Sequence, residues 1–238
     1  MGSPDFRFRQ FTVRHDRCAM KVGTDGVLLG AWAGHGSPGT ILDIGTGSGL
    51  IALMLAQRFP EARITAIDCD ADAAGQARDN FHASLWNDRL TAVHESLQEF
   101  SAHTAGRTGF DLIVSNPPFY DNTLTNPDSR RCTARHTGGL RHDELLPLSA
   151  GLLSDSGVFS LIIPSESEKS ILRLADRCSL HPLRITKVYS KPGSKVRRVL
   201  ATFGKSPVSA PEEDILVLMD EDGHRSAEHS ALTAGFYL

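Results

Sequence analysis

The chain has 238 residues, 40% hydrophobic and 22% charged, with a formal net charge of -3; these are the proportions of a globular protein and exclude disordered and collagen-like classes. No apolar run reaches the roughly 18 residues of a membrane-spanning helix, and no basic-then-apolar leader opens the chain, so a cytosolic protein is expected. The four cysteines, Cys18, Cys69, Cys132 and Cys178, form no Cys-x-x-Cys pair, which speaks against a zinc site or a disulfide framework and for reduced, buried thiols.

Near its start the chain reads "FRFRQFTVRHDRCAMKVGTDGVLLGAW", whose first half alternates apolar and charged residues and whose second half predicts a helix from Thr24 or Asp25. From residue 40, short apolar runs alternate with helical spacing, the signature of a parallel sheet covered by helices on both faces. Strands are predicted near 40–44, 63–67, 90–94, 110–115 and 157–163, and helices over Leu50–Phe59, Ala71–Leu85 and His142–Leu153. Ser165-Glu166-Ser167-Glu168 has the pattern of a capping box and predicts a helix running to Cys178. Two β-like runs, 183–190 and 197–203, flank "KPGSK" and predict a hairpin. The tail, "ILVLMDEDGHRSAEHSALTAGFYL", predicts one more strand, an Asp-Gly turn and an apolar end docked on the body. One α/β domain is expected, with an N-terminal extension and first helix (1–36), a core sheet ending in the basic hairpin (37–205) and a packed tail (206–238).

The first strand ends at Asp43 and runs through Gly45, Thr46, Gly47 and Gly49 into a helix. Glycines let the backbone turn sharply and bring a ligand against main-chain N–H groups at the helix start. Leu50 stands where a dinucleotide fingerprint wants its third glycine. An acid ahead of the loop would repel a pyrophosphate, whereas it suits the cationic amino group of S-adenosylmethionine. Asp68, at the end of the second strand and followed by Cys69, sits where an acid hydrogen-bonds ribose hydroxyls. A plain helix cap is the competing role along Asp68, Asp70 and Asp72, and Asp70 or Asp72 suits it better. Ser96 and Leu97, after the third strand, fall near the expected adenine end of such a cofactor. The N-terminal extension is expected to lie over this cofactor end of the sheet.

The fourth strand ends in Asn116-Pro117-Pro118-Phe119. Prolines fix φ and lack N–H groups, so this step makes a stiff turn whose carbonyls are free acceptors. The Asn116 side-chain oxygen and the Pro117 carbonyl can each accept one hydrogen from an exocyclic amine on a planar ring, and Phe119 can stack on that ring. No strong base is needed, because the amine nitrogen becomes acidic only as it is alkylated, and positioning supplies most of the catalysis.

Together these features resemble class I S-adenosylmethionine-dependent methyltransferases, within them the Asn-Pro-Pro-[Phe/Tyr] group acting on amino nitrogens. More narrowly, "FRFRQFTVRHDRCAMKVGTDGVLLGAW", "NPPFY", "ARHTGGL" and the "FYL" ending resemble the bacterial family that methylates N6 of adenine 37 in tRNA1(Val). The N-terminal stretch is the most specific, since many relatives share the Asn-Pro-Pro step. The resemblance implies a doubly wound, Rossmann-like α/β fold with a seven-stranded sheet, order 3-2-1-4-5-7-6, the last strands antiparallel. It implies a cofactor loop at Asp43, Gly45, Gly47 and Gly49, a ribose acid at Asp68, closure by Lys21 and Thr24 over the methionine end, and a target-base site at Asn116, Pro117, Pro118 and Phe119. Ser96 stands where many relatives place an Asp that holds the cofactor's adenine amino group, a contact for the serine hydroxyl or neighbouring backbone to replace.

An RNA substrate gives the local basic clusters a purpose that the net charge hides, since phosphates around a flipped base must be gripped. Arg7, Arg9, Arg135, His136, Lys195, Arg197 and Arg198 are the candidates; ordinary solvated charge is the alternative. The partner is then tRNA, with a monomer and no metal expected. Three other functions stay open: methylation of a protein glutamine amide or an rRNA guanine amine by the same site, a nicotinamide-dependent oxidoreductase, and a catalytically silent RNA-binding scaffold.

Overall fold

The computed structural model describes residues 5–34, 36–106, 109–117 and 141–238. Expectations for Pro118, Phe119, Cys132, Arg135 and His136 lie outside these described residues. A short ribbon, β1 (Asp5–Arg7) and β2 (Thr12–Arg14), precedes helix α1 (Thr24–Trp32). Strands then alternate with helices: β3 (Thr40–Ile44), α2 (Leu50–Arg58), β4 (Arg63–Asp68), α3 (Ala71–His82), β5 (Leu90–His94), α4 (Leu97–Thr104) and β6 (Phe110–Ser115). After the undescribed stretch come α5 (His142–Leu152), β7 (Leu153–Pro164), α6 (Glu168–Arg177), β8 (His181–Tyr189), β9 (Val196–Gly204), β10 (Glu212–Val217) and α7 (Ala227–Thr233).

One sheet carries the fold, in the order β10-β8-β9-β7-β6-β3-β4-β5. Its first seven strands in sequence, β3 to β9, follow the predicted order, and β9 runs antiparallel to both β7 and β8. The expected seven strands become eight because β10, from the tail, pairs in parallel with β8. Central strands are apolar on both faces because helices cover both. Ile41, Ile64 and Val158 pack with α1, α2 and α3, while Leu42, Ile67 and Phe159 pack with α4, α5 and α6. Helix α4 escapes the sequence reading because only Leu97 and Phe100 of its eight residues are buried, too few for a periodic stripe.

Two local expectations are corrected. Ser165 does not cap a helix: its hydroxyl donates to the Val196 carbonyl at 2.9 Å, and a single 3-10 turn, Ser165–Ser167, precedes α6. Among the described residues not all thiols are buried as expected, for Cys18 is buried while Cys69 is exposed and Cys178 half-buried. Burial pushes the Cys18 thiol up to about 11, which leaves it protonated and inert.

The N-terminal extension is strapped down by α3. Asn80 and Gln76, four residues apart on the buried stripe of that helix, accept from the backbone N–H groups of Arg14 and Arg17 at 3.0 and 3.1 Å. Asn80 also donates to the Arg14 and Ser48 carbonyls, both at 2.8 Å, so one amide joins the strap to the glycine loop.

Candidate functional site

The loop between β3 and α2 is held from below. The N–H groups of Gly45 and Thr46 both donate to the Ile67 carbonyl, at 2.9 and 3.0 Å, and that of Gly47 donates to Asp68 Oδ2 at 2.8 Å. Gly45, Gly47 and Gly49 have φ of +70°, +56° and +80°, where a side chain is strained. Their surroundings divide the work. A Cβ at Gly45 or Gly47 would meet nothing within 4 Å, whereas one at Gly49 would lie 2.5 Å from Phe81 Cε1. Gly49 is needed for helix packing; Gly45 and Gly47 keep a ligand space open.

That space is a cleft of about 350 Å³, on whose walls Lys21, Thr24, Gly45, Thr46, Gly47 and Asn116 meet. Sequence positions 95 residues apart are thus brought to one cavity. Ser115 explains part of this, because its hydroxyl donates to the Ile44 carbonyl at 3.0 Å and locks the ends of β6 and β3 together. Asn116 therefore leaves the sheet beside the glycine loop. Its Oδ1 is buried and has no hydrogen-bond partner among the described residues, an acceptor that burial makes costly to leave unmet. Pro117 beside it is buried.

Asp43 is not among the residues that line the cleft. Its side chain is fully buried; Oδ2 accepts from Thr46 Oγ1 at 2.7 Å and from the Ala52 N–H at 3.2 Å, and Oδ1 has no partner among the described residues. Burial pushes this carboxyl up to about 7, against the two hydrogen bonds. Through these two bonds Asp43 braces the glycine loop and the start of α2.

Asp68 ends β4 and Cys69 follows it, while Ser96 and Leu97 come just after β5; none of the four is among the residues that line the cleft. Asp68 accepts from the Gly47 and Asp70 N–H groups, the second at 2.9 Å, and burial still raises its carboxyl above the usual range. Asp70 caps α3 through the Asp72 N–H, as expected. Ser96 caps α4 in a capping box with Glu99: its hydroxyl donates to Glu99 Oε2 at 2.7 Å and accepts from the Glu99 N–H at 3.2 Å, leaving one lone pair. The Leu97 side chain belongs to the core.

Of the described cations expected to face RNA, Arg7, Arg9, Lys195 and Arg197 are exposed and Arg198 is half-buried. Arg9 and Arg198 have other employment. The Arg9 guanidinium donates to the Tyr237 carbonyl and its backbone N–H to that of Phe236, clasping the tail. Arg198 Nε donates to Asp25 Oδ2 at 2.8 Å, and Asp25 lines the cleft. Sequence reasoning missed Asp25, Gln76 and Asn80. Only the last two leave a trace, as polar residues spaced four apart on an otherwise apolar stripe.

A glycine turn over a buried acid, at the carboxyl ends of a sheet ordered in this way, is where class I S-adenosylmethionine-dependent methyltransferases hold their cofactor, and this chain is one of them. The family model described as a methyltransferase small domain matches residues 23–131. The chain belongs to the tRNA1(Val) (adenine(37)-N6)-methyltransferase family: it is 49% identical over 238 residues to the protein of that name from Phocaeicola vulgatus, covering 100% of this chain and 99% of the relative. The Aeromonas hydrophila protein of the same name is 44% identical over 234 residues, covering 98% and 97%.

Among solved structures, a predicted O-methyltransferase from Agrobacterium tumefaciens is similar with a TM-score of 0.68 and 19% identity, over 89% of this chain and 96% of that one. The T. thermophilus 16S rRNA N2 G1207 methyltransferase in complex with AdoMet and guanosine matches with a TM-score of 0.56 and 18% identity, over 85% and 50%. Both likenesses concern the fold alone. No helix among the described residues is long and apolar enough to cross a membrane.

Proposed function

We propose that this chain transfers a methyl group to N6 of adenine 37 in tRNA1(Val). The observation that carries the reading is the buried Asn116 Oδ1, without a hydrogen-bond partner among the described residues, on the wall of the cleft that Gly45 and Gly47 keep open. The choice of adenine 37 rests on the named relatives. When bound, S-adenosylmethionine supplies a methyl group on a sulfonium, already activated for transfer. The residues fit it: two glycines leave room for its methionine end, Lys21 and Thr24 line the cleft, and the cofactor's cationic amino group would favour the charged form of the buried Asp43 carboxyl, which braces the loop.

In this proposal Asn116 Oδ1 accepts one hydrogen of the adenine amine and the Pro117 carbonyl accepts the other. Two acceptors hold the nitrogen with its lone pair turned toward the cleft. The sulfonium would supply the methyl group, so that a new N–C bond would form as its S–C bond broke, and the nitrogen would then release a proton to water. Pro118 would stiffen the turn and Phe119 would stack on the base. Asp68 with Cys69 would hold the ribose, and the spare lone pair of Ser96 or the backbone at Leu97 would meet the adenine of the cofactor. Arg7, Lys195, Arg197, Arg135 and His136 are proposed for RNA phosphates. Arg9 and Arg198 take second place in that set, since each already bonds a neighbour through Nε. The chain is taken to act as a monomer in the cytoplasm, where its tRNA substrate is.

Incubation with labelled S-adenosylmethionine and unmodified tRNA1(Val), followed by nucleoside analysis, tests the reading. N6-methyladenosine should form at position 37 and be absent from a transcript carrying guanosine there. Label on a guanine, on protein glutamine or nowhere would overturn it.

A further inference from the structure

Beyond the cofactor cleft lies a larger groove of about 760 Å³, between the β8–β9 turn and the turn that follows β10. The β8–β9 side carries Lys191, Lys195 and Arg197 and the turn after β10 carries Asp220, Glu221 and Asp222, with Glu166 a further acid on the lining. Opposed charges of this kind would ordinarily collapse into ion pairs, yet among the described residues none of these three cations pairs with these three acids. The reason is that each wall is a closed turn. Lys191 and Ser194 bond each other through backbone and hydroxyl, with Gly193 at φ +69°. Opposite, the Asp220 N–H donates to the His224 carbonyl at 2.9 Å and the His224 N–H returns to Asp220 Oδ1 at 2.8 Å, with Gly223 at φ +83°. The Met219 N–H joins the two turns at the base through the Ser190 carbonyl, at 3.0 Å.

A rigid groove with cations on one side and acceptors on the other suits a ligand that is anionic at one end and rich in N–H donors at the other. A nucleotide is such a ligand: phosphate takes Lys or Arg, and the amino edge of cytosine or guanine donates to carboxylates. The volume falls in the range of small-molecule sites, a few hundred to about a thousand Å³. Its position is also suitable. Arg197 lines the groove and the next residue, Arg198, bonds Asp25 on the wall of the cofactor cleft. Strand β9 is two strand spacings, about 10 Å, from the β6 end that bears Asn116.

We infer that this groove is a second nucleotide subsite, in which Lys191, Lys195 and Arg197 take the phosphate of a nucleotide flanking the target and Asp220, Glu221 and Asp222 read its amino edge. The inference rests on the RNA substrate proposed above and adds a determinant of which RNA is chosen. The acid wall favours an amine-bearing base and repels an RNA that brings only phosphates.

The test uses the full chain and tRNA1(Val) anticodon stem-loops in which one flanking base at a time loses its amine, cytidine to uridine or guanosine to inosine. With the wild-type protein, one position should weaken binding about tenfold. In the variant D220N/E221Q/D222N, that position should cease to matter, cognate binding should fall by about tenfold and binding of unrelated RNA should rise, so that discrimination collapses. Unchanged thermal midpoint and cofactor affinity establish that the variant is folded. If cognate and unrelated RNA tighten equally in the variant, the acids only repel and the inference is overturned; if neither changes, the groove is not used. Should the wild-type protein bind the stem-loop without methylating adenine 37, the functional reading fails instead, and the binding comparison still decides the groove.

Discussion

Arg198 on β9 and Asp25 on α1, 173 residues apart in sequence, meet at 2.8 Å and tie the basic hairpin to the wall of the cofactor cleft. Both side chains are about two-thirds or more buried, with 32% and 25% exposure, so the pair is screened less than a surface one. Asp25→Asn and Arg198→Gln should each cost about 1 kcal/mol and lower the melting temperature by about 2–4 °C. Each should also raise KM for S-adenosylmethionine more than it changes kcat. A double variant no worse than either single one is the expected signature of their coupling; strictly additive losses would mean that the two residues act apart.

Removal of the Asn116 acceptor separates binding from chemistry. Asn116→Ala should keep cofactor affinity within a few-fold and lower methyl transfer by about 10²–10³, the cost of one aligned polar group in an active site. Titration calorimetry with single-turnover kinetics checks both halves. Turnover within a few-fold of wild type would remove Asn116 from the acceptor pair.

Gly47→Ala and Gly49→Ala should fail in opposite ways. At Gly49 a new methyl meets Phe81, so the variant should lose about 1–3 kcal/mol from overpacking in addition to backbone strain. At Gly47 the methyl enters the open cleft; stability should drop by only about 1 kcal/mol from the positive φ, whereas cofactor binding should be lost. Thermal melts with and without S-adenosylmethionine separate the cases, and a Gly47 variant with full affinity would refute the assignment of that space.

The raised carboxyl of Asp43 makes a stability prediction with a definite sign. Its folded value, about 7, lies above the ordinary 3.8, so the folded state holds a proton that the unfolded state has released. This contribution is complete below about pH 4, declines as pH rises toward 7 and is gone above it. Denaturant midpoints of wild type and Asp43→Asn, compared from pH 4 to 8, should diverge across that window by on the order of a few kcal/mol. Parallel curves would show that Asp43 titrates normally.

Lys195 and Arg197 are two of the hairpin cations proposed for RNA, beside Lys191. Their joint change to Gln should reduce the salt slope of tRNA binding by about 1.4, near 0.7 for each contact to a single-stranded phosphate. A constant slope would detach the hairpin from the RNA.

Most of the sheet was legible because strands buried on both faces read as apolar runs and the helices between them as spaced apolar residues. The glycine loop and Asn116 were legible as strand ends with unusual backbone chemistry. Long-range pairing was not. Nothing in the spacing of Arg198 announces Asp25, and nothing near Arg9 announces the Tyr237 carbonyl, so both arginines looked like free charge. The Ser165 pattern misled because the Val196 carbonyl, 31 residues on, competes for the hydroxyl that a capping box would use.

Strand β9 lies between β7 and β8 although it is synthesised after both. A nascent chain that has reached Tyr189 therefore holds a strand with no lateral neighbour, its apolar residues waiting for a segment still to be made. The turn at 190–195 brings that segment back, and hairpins close in about 1–10 μs once their sequence is available. The loop proposed to present lysines to a ligand thus also has to form before this edge of the sheet can be completed, so changes made there can be felt in refolding as well as in affinity.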